Sequence, residues 1–256
     1  VIFDIQMNQG AAPWPVVRAA LHQAEDAGFA NAWVLDHISS FGDPDISMLE
    51  CFTTLGAMAE STSKIGIGSL VVNAQLRNPS LLAACATSVQ NISGGRFTLG
   101  IGAGAAPTGR WSAEMQEIGI VSPARMSERH EHLRQVLATC RSHWSGEKQN
   151  MPKPITPPPV VLGVNSVELA DTAVGIADGV NIRSNHPKLE EIVTRVRSKT
   201  ANRPDWSTSV WAMWNTALLN DGDSRVTRWA EIGINRVVLV WTPKAGSIAE
   251  IGRVNQ

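Results

Sequence analysis

Three cysteines (Cys51, Cys85 and Cys140) in 256 residues are too few and too scattered for a disulfide framework, and none has metal-ligand spacing. Charge of one sign is just as scarce: 22 basic and 23 acidic residues leave a net charge of −1. No basic stripe that could neutralise a phosphate backbone is present, so nucleic-acid binding is not expected. Long apolar runs are also missing. The longest are strand-sized and broken by Gly, Asn or Arg, which leaves no transmembrane helix and no expected membrane partner. Val1-Ile2-Phe3-Asp4 brings in a charge at once and has no basic n-region, so a cytoplasmic location is expected. No H-E-x-x-H, C-x-x-C or G-x-S-x-G occurs. Zinc hydrolysis, thiol redox chemistry and serine hydrolysis lose their usual support, and no metal site is expected. Tyrosine is absent while tryptophan occurs nine times, so most of the tryptophans belong in a core.

What is present is a globular composition, 43% hydrophobic and 18% charged, with a clear alternation along the chain. Short apolar runs recur at Val1–Met7, Asn31–Asp36, Ile65–Val72, Phe97–Gly102, Val160–Gly163, Gly179–Ile182, Ser209–Leu219 and Arg236–Trp241. Their uniform apolarity suits parallel strands covered on both faces. Between them lie helical stripes. Val17, Ala20, Leu21, Ala24 and Ala27 share one face and Gly28 stops it. Asn78-Pro79 reads as an N-cap with proline at the first helical position, leading to Leu82, Cys85, Val89 and Ile92. Met126 to Trp144 carries another stripe, ended by Gly146. Further helices open at Asn165, which with Glu168 resembles a capping box, at His186-Pro187 and at Asp221.

Eight βα units of roughly 32 residues are the arithmetic of a (β/α)8 barrel, an α/β TIM barrel formed as a single domain over residues 1–256. A doubly wound open sheet is the alternative, but it usually stops at five to seven strands. Residues 103–125 have no clean period and read as a long loop or a small helical excursion. Residues 145–159 read as a proline-rich tether along the surface.

In such a barrel, function belongs at the C-terminal strand ends. Asp36-His37 ends the second run: an imidazole there can exchange a proton near neutral pH, and the Asp can orient the loop or cap backbone amides. Taken alone, His37 reads more readily as a hydrogen-bonded rim residue. Gly100, Gly102 and Gly104 end the fourth run and can let a ligand approach the backbone or hold an anion on successive N–H groups. The third glycine of G-x-G-x-x-G is missing, because Ala105 stands at that offset. Gly163-Val164-Asn165-Ser166 ends the fifth run and opens a helix whose dipole favours an anion. Trp241 and either Trp211 or Trp214 could line a pocket for a flat ligand, and together with Arg110 and Asn73 they suggest an aromatic, modestly basic mouth.

At these residues the chain resembles the bacterial luciferase-like family, and within it the branch that uses the deazaflavin coenzyme F420. The matching pieces are Ala24-Glu25-Asp26-Ala27-Gly28-Phe29 leading into Trp33-Val34-Leu35-Asp36-His37, then Thr53 to Ala59, Arg77-Asn78-Pro79, and the block Ile92-Ser93-Gly94-Gly95-Arg96-Phe97-Thr98-Leu99-Gly100-Ile101-Gly102-Ala103-Gly104. Arg129 with Leu133, Leu162-Gly163 and Ala177-Asp178-Gly179 follow in the family's order, so the likeness covers nearly the whole chain.

The resemblance implies a deazaflavin or flavin ring over the barrel mouth. Its phosphate would rest on Gly102-Ala103-Gly104 and on Gly163 to Ser166, and the ring against a non-proline cis peptide near Ser69–Val72, with Leu70, Val71 and Asn73 at the cofactor. It assigns catalysis to His37, as the proton-transfer group, and to Asp36. Coenzyme F420 is the expected cofactor and FMN the alternative. The expected activity is hydride transfer to or from a small organic substrate; an FMN-dependent monooxygenase and a non-catalytic flavin or deazaflavin binder are the alternatives. A homodimer is expected. Ala105 replaces the catalytic acid of the sugar-phosphate dehydrogenase members, which disfavours that substrate class.

Overall fold

Strands buried on both faces need a crossover between each parallel pair, and the sequence supplies a helix in almost every gap. A computed structural model describes residues 1–39, 48–109, 111–147 and 150–255. Its strands are β1 (Ile2–Met7), β2 (Asn31–Val34), β3 (Gly66–Ser69), β4 (Val72–Asn73), β5 (Phe97–Gly102), β6 (Val160–Val164), β7 (Gly179–Arg183), β8 (Ser207–Met213) and β9 (Arg236–Trp241). They pair in the order β3-β2-β1-β9-β8-β7-β6-β5-β4, every pair parallel, and β3 also pairs with β5. That last pairing closes the sheet. β3 and β4 share the third position, so the result is the expected (β/α)8 barrel.

Three of the apolar runs differ from their reading. The third is divided: β3 ends at Ser69, β4 begins at Val72, and the Leu70–Val71 peptide between them is cis. The seventh stops at Met213. Asn215 then accepts a hydrogen bond from the Ala217 N–H and starts a short 3-10 helix, Thr216–Leu219, whose Leu218 is buried. The second run also ends early, at Val34, because the side chain of Gln9 takes both backbone groups of Leu35: Oε1 accepts its N–H at 3.1 Å and Nε2 donates to its carbonyl at 2.6 Å.

The helices are α1 (Trp14–Ala27), α2 (Cys51–Ser61), α3 (Pro79–Ile92), α4 (Ala113–Glu117), α5 (Met126–Ser145), α6 (Val167–Ile176), α7 (Leu189–Thr200) and α8 (Ser224–Ile232). Gly28 ends α1 at φ 84°, and Asn78 caps α3 by accepting from the N–H groups of Ser80 and Leu81. Three starts fall later than the sequence places them. Ser166, not Asn165, caps α6 by accepting from the Leu169 N–H at 3.2 Å. His186 and Pro187 form a turn ahead of α7, in which His186 Nδ1 accepts from the Lys188 N–H. Asp223, not Asp221, caps α8, because its carboxylate reaches the N–H groups of Arg225 and Val226.

Side chains on each strand alternate between the helix layer and the barrel interior. Ile5, Met7, Val34, Ile67, Leu99, Ile101, Leu162, Ile182, Val210 and Leu239 pack outward against Val17, Leu21, Leu55, Met58, Leu82, Leu133 and Ile192. The interior holds Trp33, Leu70, Val161 and Val238, with Val71 and Trp211 against them. Asp4 and Gln6 find partners there, whereas the buried Trp33 indole N–H has no hydrogen-bond partner among the described residues. Asp4 meets Arg236 at 2.6 Å near the floor. Higher up, Gln6 accepts the Trp211 indole N–H at 2.6 Å and donates to the Leu70 carbonyl at 2.5 Å.

Close approach of β3 and β5 requires glycine at 100, where an added Cβ would overlap the Ser69 carbonyl oxygen. Gly56 in α2 has nothing within 4 Å of the same position. Urea unfolding should therefore separate two identical changes. Gly100→Ala is expected to lose about 3 kcal/mol through overpacking against backbone, and Gly56→Ala to gain about 0.5–1 kcal/mol by restricting the unfolded chain.

Candidate active site

The mouth of the barrel is organised by Asp36, which is buried just beyond β2. Its Oδ2 accepts from Arg77 at 2.6 Å and from the Asn73 N–H at 3.0 Å, and its Oδ1 accepts from Arg77 at 2.7 Å. Arg77 also meets Glu50 at 2.6 Å and stands 5.1 Å from the ring centroid of Phe52. Burial works against the Arg77 charge, but Asp36 and Glu50 outweigh it and raise its pKa. One carboxylate thus joins the end of β2 to β4 and to the start of α3. Asp36 belongs to the framework of the rim.

His37 follows directly. Its Nδ1 lies 2.6 Å from Oε1 of Glu114, and its ring is 5.1 Å from that of Trp111. Glu114 is a buried residue of α4. Its Oε2 accepts from the Ile38 N–H at 2.8 Å, the Ser39 N–H at 3.2 Å and the Ser39 hydroxyl at 3.3 Å. Burial raises the Glu114 pKa, yet His37 and these N–H groups lower it more, and the carboxyl ends below its ordinary value. Sequence reasoning did not find this residue. The available signal was an acid three residues after Trp111 and four before Ile118, on the face of a helical turn that should be apolar.

The glycine tips are filled by the protein's own side chains. A Cβ on Gly102 or on Gly163 would come to 3.0 Å from a Val71 methyl, so Val71 sits between the two strand ends. Gly104, at φ 82°, is approached by Asn73 and Gln75; a Cβ there would be 2.7 Å from Asn73 Oδ1. Asn73 donates to Met115 Sδ at 3.3 Å and accepts from the Gln75 N–H at 3.0 Å. Gln75 donates to the Ala103 carbonyl at 2.8 Å and accepts the Ser122 hydroxyl at 2.5 Å. Asn73 therefore ties the 103–125 excursion to β4. Ala103 and Val164 are buried in the outer layer. The carbonyl of Asn165 accepts from His186 Nε2 at 3.1 Å. Glu168 stands in the first turn of α6, where its own N–H and the Ser166 hydroxyl hold its carboxyl below the ordinary value, and it places a negative charge where an anion was expected.

Two tryptophans expected in the mouth face the other way. Trp241 and Trp214 fall on the outward parity of β9 and β8: Trp241 is buried and donates to the Gly246 carbonyl at 2.9 Å, and Trp214 packs 6.3 Å from Phe29. Trp211 is the inward ring, with the Arg183 guanidinium 5.8 Å from its centroid. Met213, two residues on and of the same parity, is 62% exposed. The mouth is thus an apolar floor of half-buried Val71, a wall of Trp211 and Met213, and His37 on the rim. Arg110 lies outside the described residues.

A family model described as luciferase-like monooxygenase matches residues 3–243. The chain belongs to this family. Among curated luciferase-like relatives, the 5,10-methylenetetrahydromethanopterin reductase of Archaeoglobus fulgidus is 32% identical over 177 residues, covering 66% of this chain and 49% of the relative. That of Methanolobus tindarius is 28% identical over 195 residues, covering 71% and 54%. The chain spans about half the length of these two curated relatives. A solved F420-dependent secondary alcohol dehydrogenase, in complex with an F420-acetone adduct, shares the barrel with a TM-score of 0.76 at 15% identity, covering 93% of this chain and 92% of the other.

Two expectations follow for this luciferase-like rim. Arg77→Met strands the buried Asp36 carboxylate and should cost about 3 kcal/mol in urea unfolding. Glu114 is lowered in the folded state, so the stability it contributes is complete above the ordinary glutamate value of 4.5 and is lost as pH falls through its depressed value. The stability difference between wild type and Glu114→Gln should be constant above that range and shrink below it.

Proposed function

We propose that the chain forms the redox barrel of an F420-dependent oxidoreductase that transfers hydride between the reduced deazaflavin and a small organic substrate. The observation that carries the reading is an imidazole fixed by Glu114 on the rim of a mouth whose floor is the half-buried Val71, in a barrel whose curated relatives include an F420-dependent glucose-6-phosphate dehydrogenase and an F420-dependent hydroxymycolic acid dehydrogenase. The residues present suit a flat tricyclic group. Val71, Trp211 and Met213 leave apolar surface open that a planar ring would cover. Val71 with Leu70 would lie beneath the ring, and Trp211 and Met213 beside it. Each expected phosphate seat is partly taken by the protein itself: Asn73 and Gln75 approach Gly104, and Glu168 stands in the first turn of α6.

When bound, the deazaflavin supplies or accepts the hydride. Hydride addition to an unsaturated bond leaves one proton to be delivered, and the reverse reaction leaves one to be removed. Nε2 of His37 is the atom that would exchange it, because Nδ1 is held by Glu114. Asp36 contributes by fixing the rim from which His37 projects.

A second reading, an FMN-dependent monooxygenase, is favoured by the family description and by a 38% identity over 81 residues to the 4-hydroxyprotoasukamycin monooxygenase of Streptomyces nodosus subsp. asukaensis. Titration with F420 and with FMN, followed by tryptophan quenching, separates them. F420 is expected to bind at least about tenfold more tightly, a gap of about 1.4 kcal/mol. The reverse order would select the monooxygenase, and no binding of either would sink both. His37→Ala should keep F420 binding and lose roughly 10²- to 10⁴-fold in turnover. Unchanged turnover would remove His37 from the chemistry, and tight binding with no turnover in either form would favour a non-catalytic binder.

A further inference from the structure

We infer that Glu114 is the positioning residue that sets the tautomer and orientation of His37; this rests on the reading of His37 as the proton-transfer group. A neutral imidazole can take up a proton only at the nitrogen that lacks one, and which nitrogen that is depends on what the other is bonded to. Glu114 Oε1 lies 2.6 Å from Nδ1, and a carboxylate can only accept there. It therefore places the hydrogen of the neutral ring on Nδ1 and the lone pair on Nε2. The same carboxylate stabilises the imidazolium once the second proton arrives.

Its other oxygen holds the backbone just after the ring, through the N–H groups of Ile38 and Ser39, so ring and chain are fixed from a single anchor. Among the described residues, the other two acids of this rim are already engaged. Asp36 is occupied by Arg77 and the Asn73 N–H, and Glu50 by Arg77 and the Thr53 N–H. Glu114 is itself held by the excursion that carries it. Ser112 Oγ donates to the carbonyls of Pro107 and Gly109 at 2.7 Å each, the neighbouring Met115 accepts from Asn73, and Ser122 is bonded to Gln75.

The test is two-bond ¹H–¹⁵N NMR of the His37 ring, assigned by its loss in His37→Ala, alongside steady-state kinetics with reduced F420. In the wild type the neutral ring should carry its hydrogen on Nδ1. In Glu114→Gln the amide oxygen keeps the Ile38 and Ser39 N–H groups and the NH2 is turned toward Nδ1, so the hydrogen should move toward Nε2, and kcat should fall about 10- to 100-fold with F420 affinity nearly unchanged. Glu117→Gln changes an exposed acid of the same helix and should keep both the wild-type tautomer and kcat. A wild-type ring protonated on Nε2 overturns the inference, and this needs no variant to fold. So does an unchanged tautomer in Glu114→Gln, or a Glu117→Gln variant that reproduces its losses. The spectra do not depend on the cofactor. Failure of F420 to bind would therefore strike the functional reading and leave the positioning result standing.

Discussion

The buried carboxylate of Asp36 is the contact on which the mouth of this barrel depends. It stands just past β2, and its donors come from β4 and from the approach to α3, elements reached only after a further crossover in the chain. A buried acid with one unpaired oxygen would be expensive, whereas one with three donors locks the segments that supply them. His37 inherits its place from that lock. So does Val71, because Asn73, two residues beyond it, is the backbone donor to Asp36.

The second constraint is alternation. A parallel strand sends successive side chains to opposite layers, and around a closed barrel that parity divides the core into an apolar outer shell and a narrower interior. The interior is not uniformly apolar. Asp4 with Arg236 and Gln6 with Trp211 and the Leu70 carbonyl place polar groups along its axis, each answered by a partner. Near the mouth the interior narrows to Val71, and the glycines at 102 and 163 exist to admit it. Gly104 is held by Asn73 and Gln75 in the same way. Glycines at strand ends in a barrel can thus serve the protein's own packing before they serve a ligand.

Together these features make a site of divided labour. The framework acid is next in sequence to the imidazole but turned away from it, and the acid that touches the imidazole comes from 77 residues later, in the least periodic part of the chain. Under the proposed reading Glu114 sets the tautomer of the imidazole, and the open apolar surface of Val71, Trp211 and Met213 takes the carrier.

The sequence by itself determined the barrel. Uniformly apolar runs at regular spacing, with helical stripes between, leave few other ways to bury both faces of eight strand positions, and the caps at Gly28 and Asn78 are local chemistry legible without neighbours. It also marked the position of His37 at a strand end, and the resemblance located the cis peptide within Ser69–Val72. Tertiary structure alone decided which rings face the mouth, because a strand's parity is fixed by its partners. Trp214 and Trp241 turned outward and Trp211 inward for that reason. It alone brought Glu114 to His37 and Arg77 to Asp36, since contacts across 77 and 41 residues are set by the closure of the barrel and leave no periodic trace in the chain.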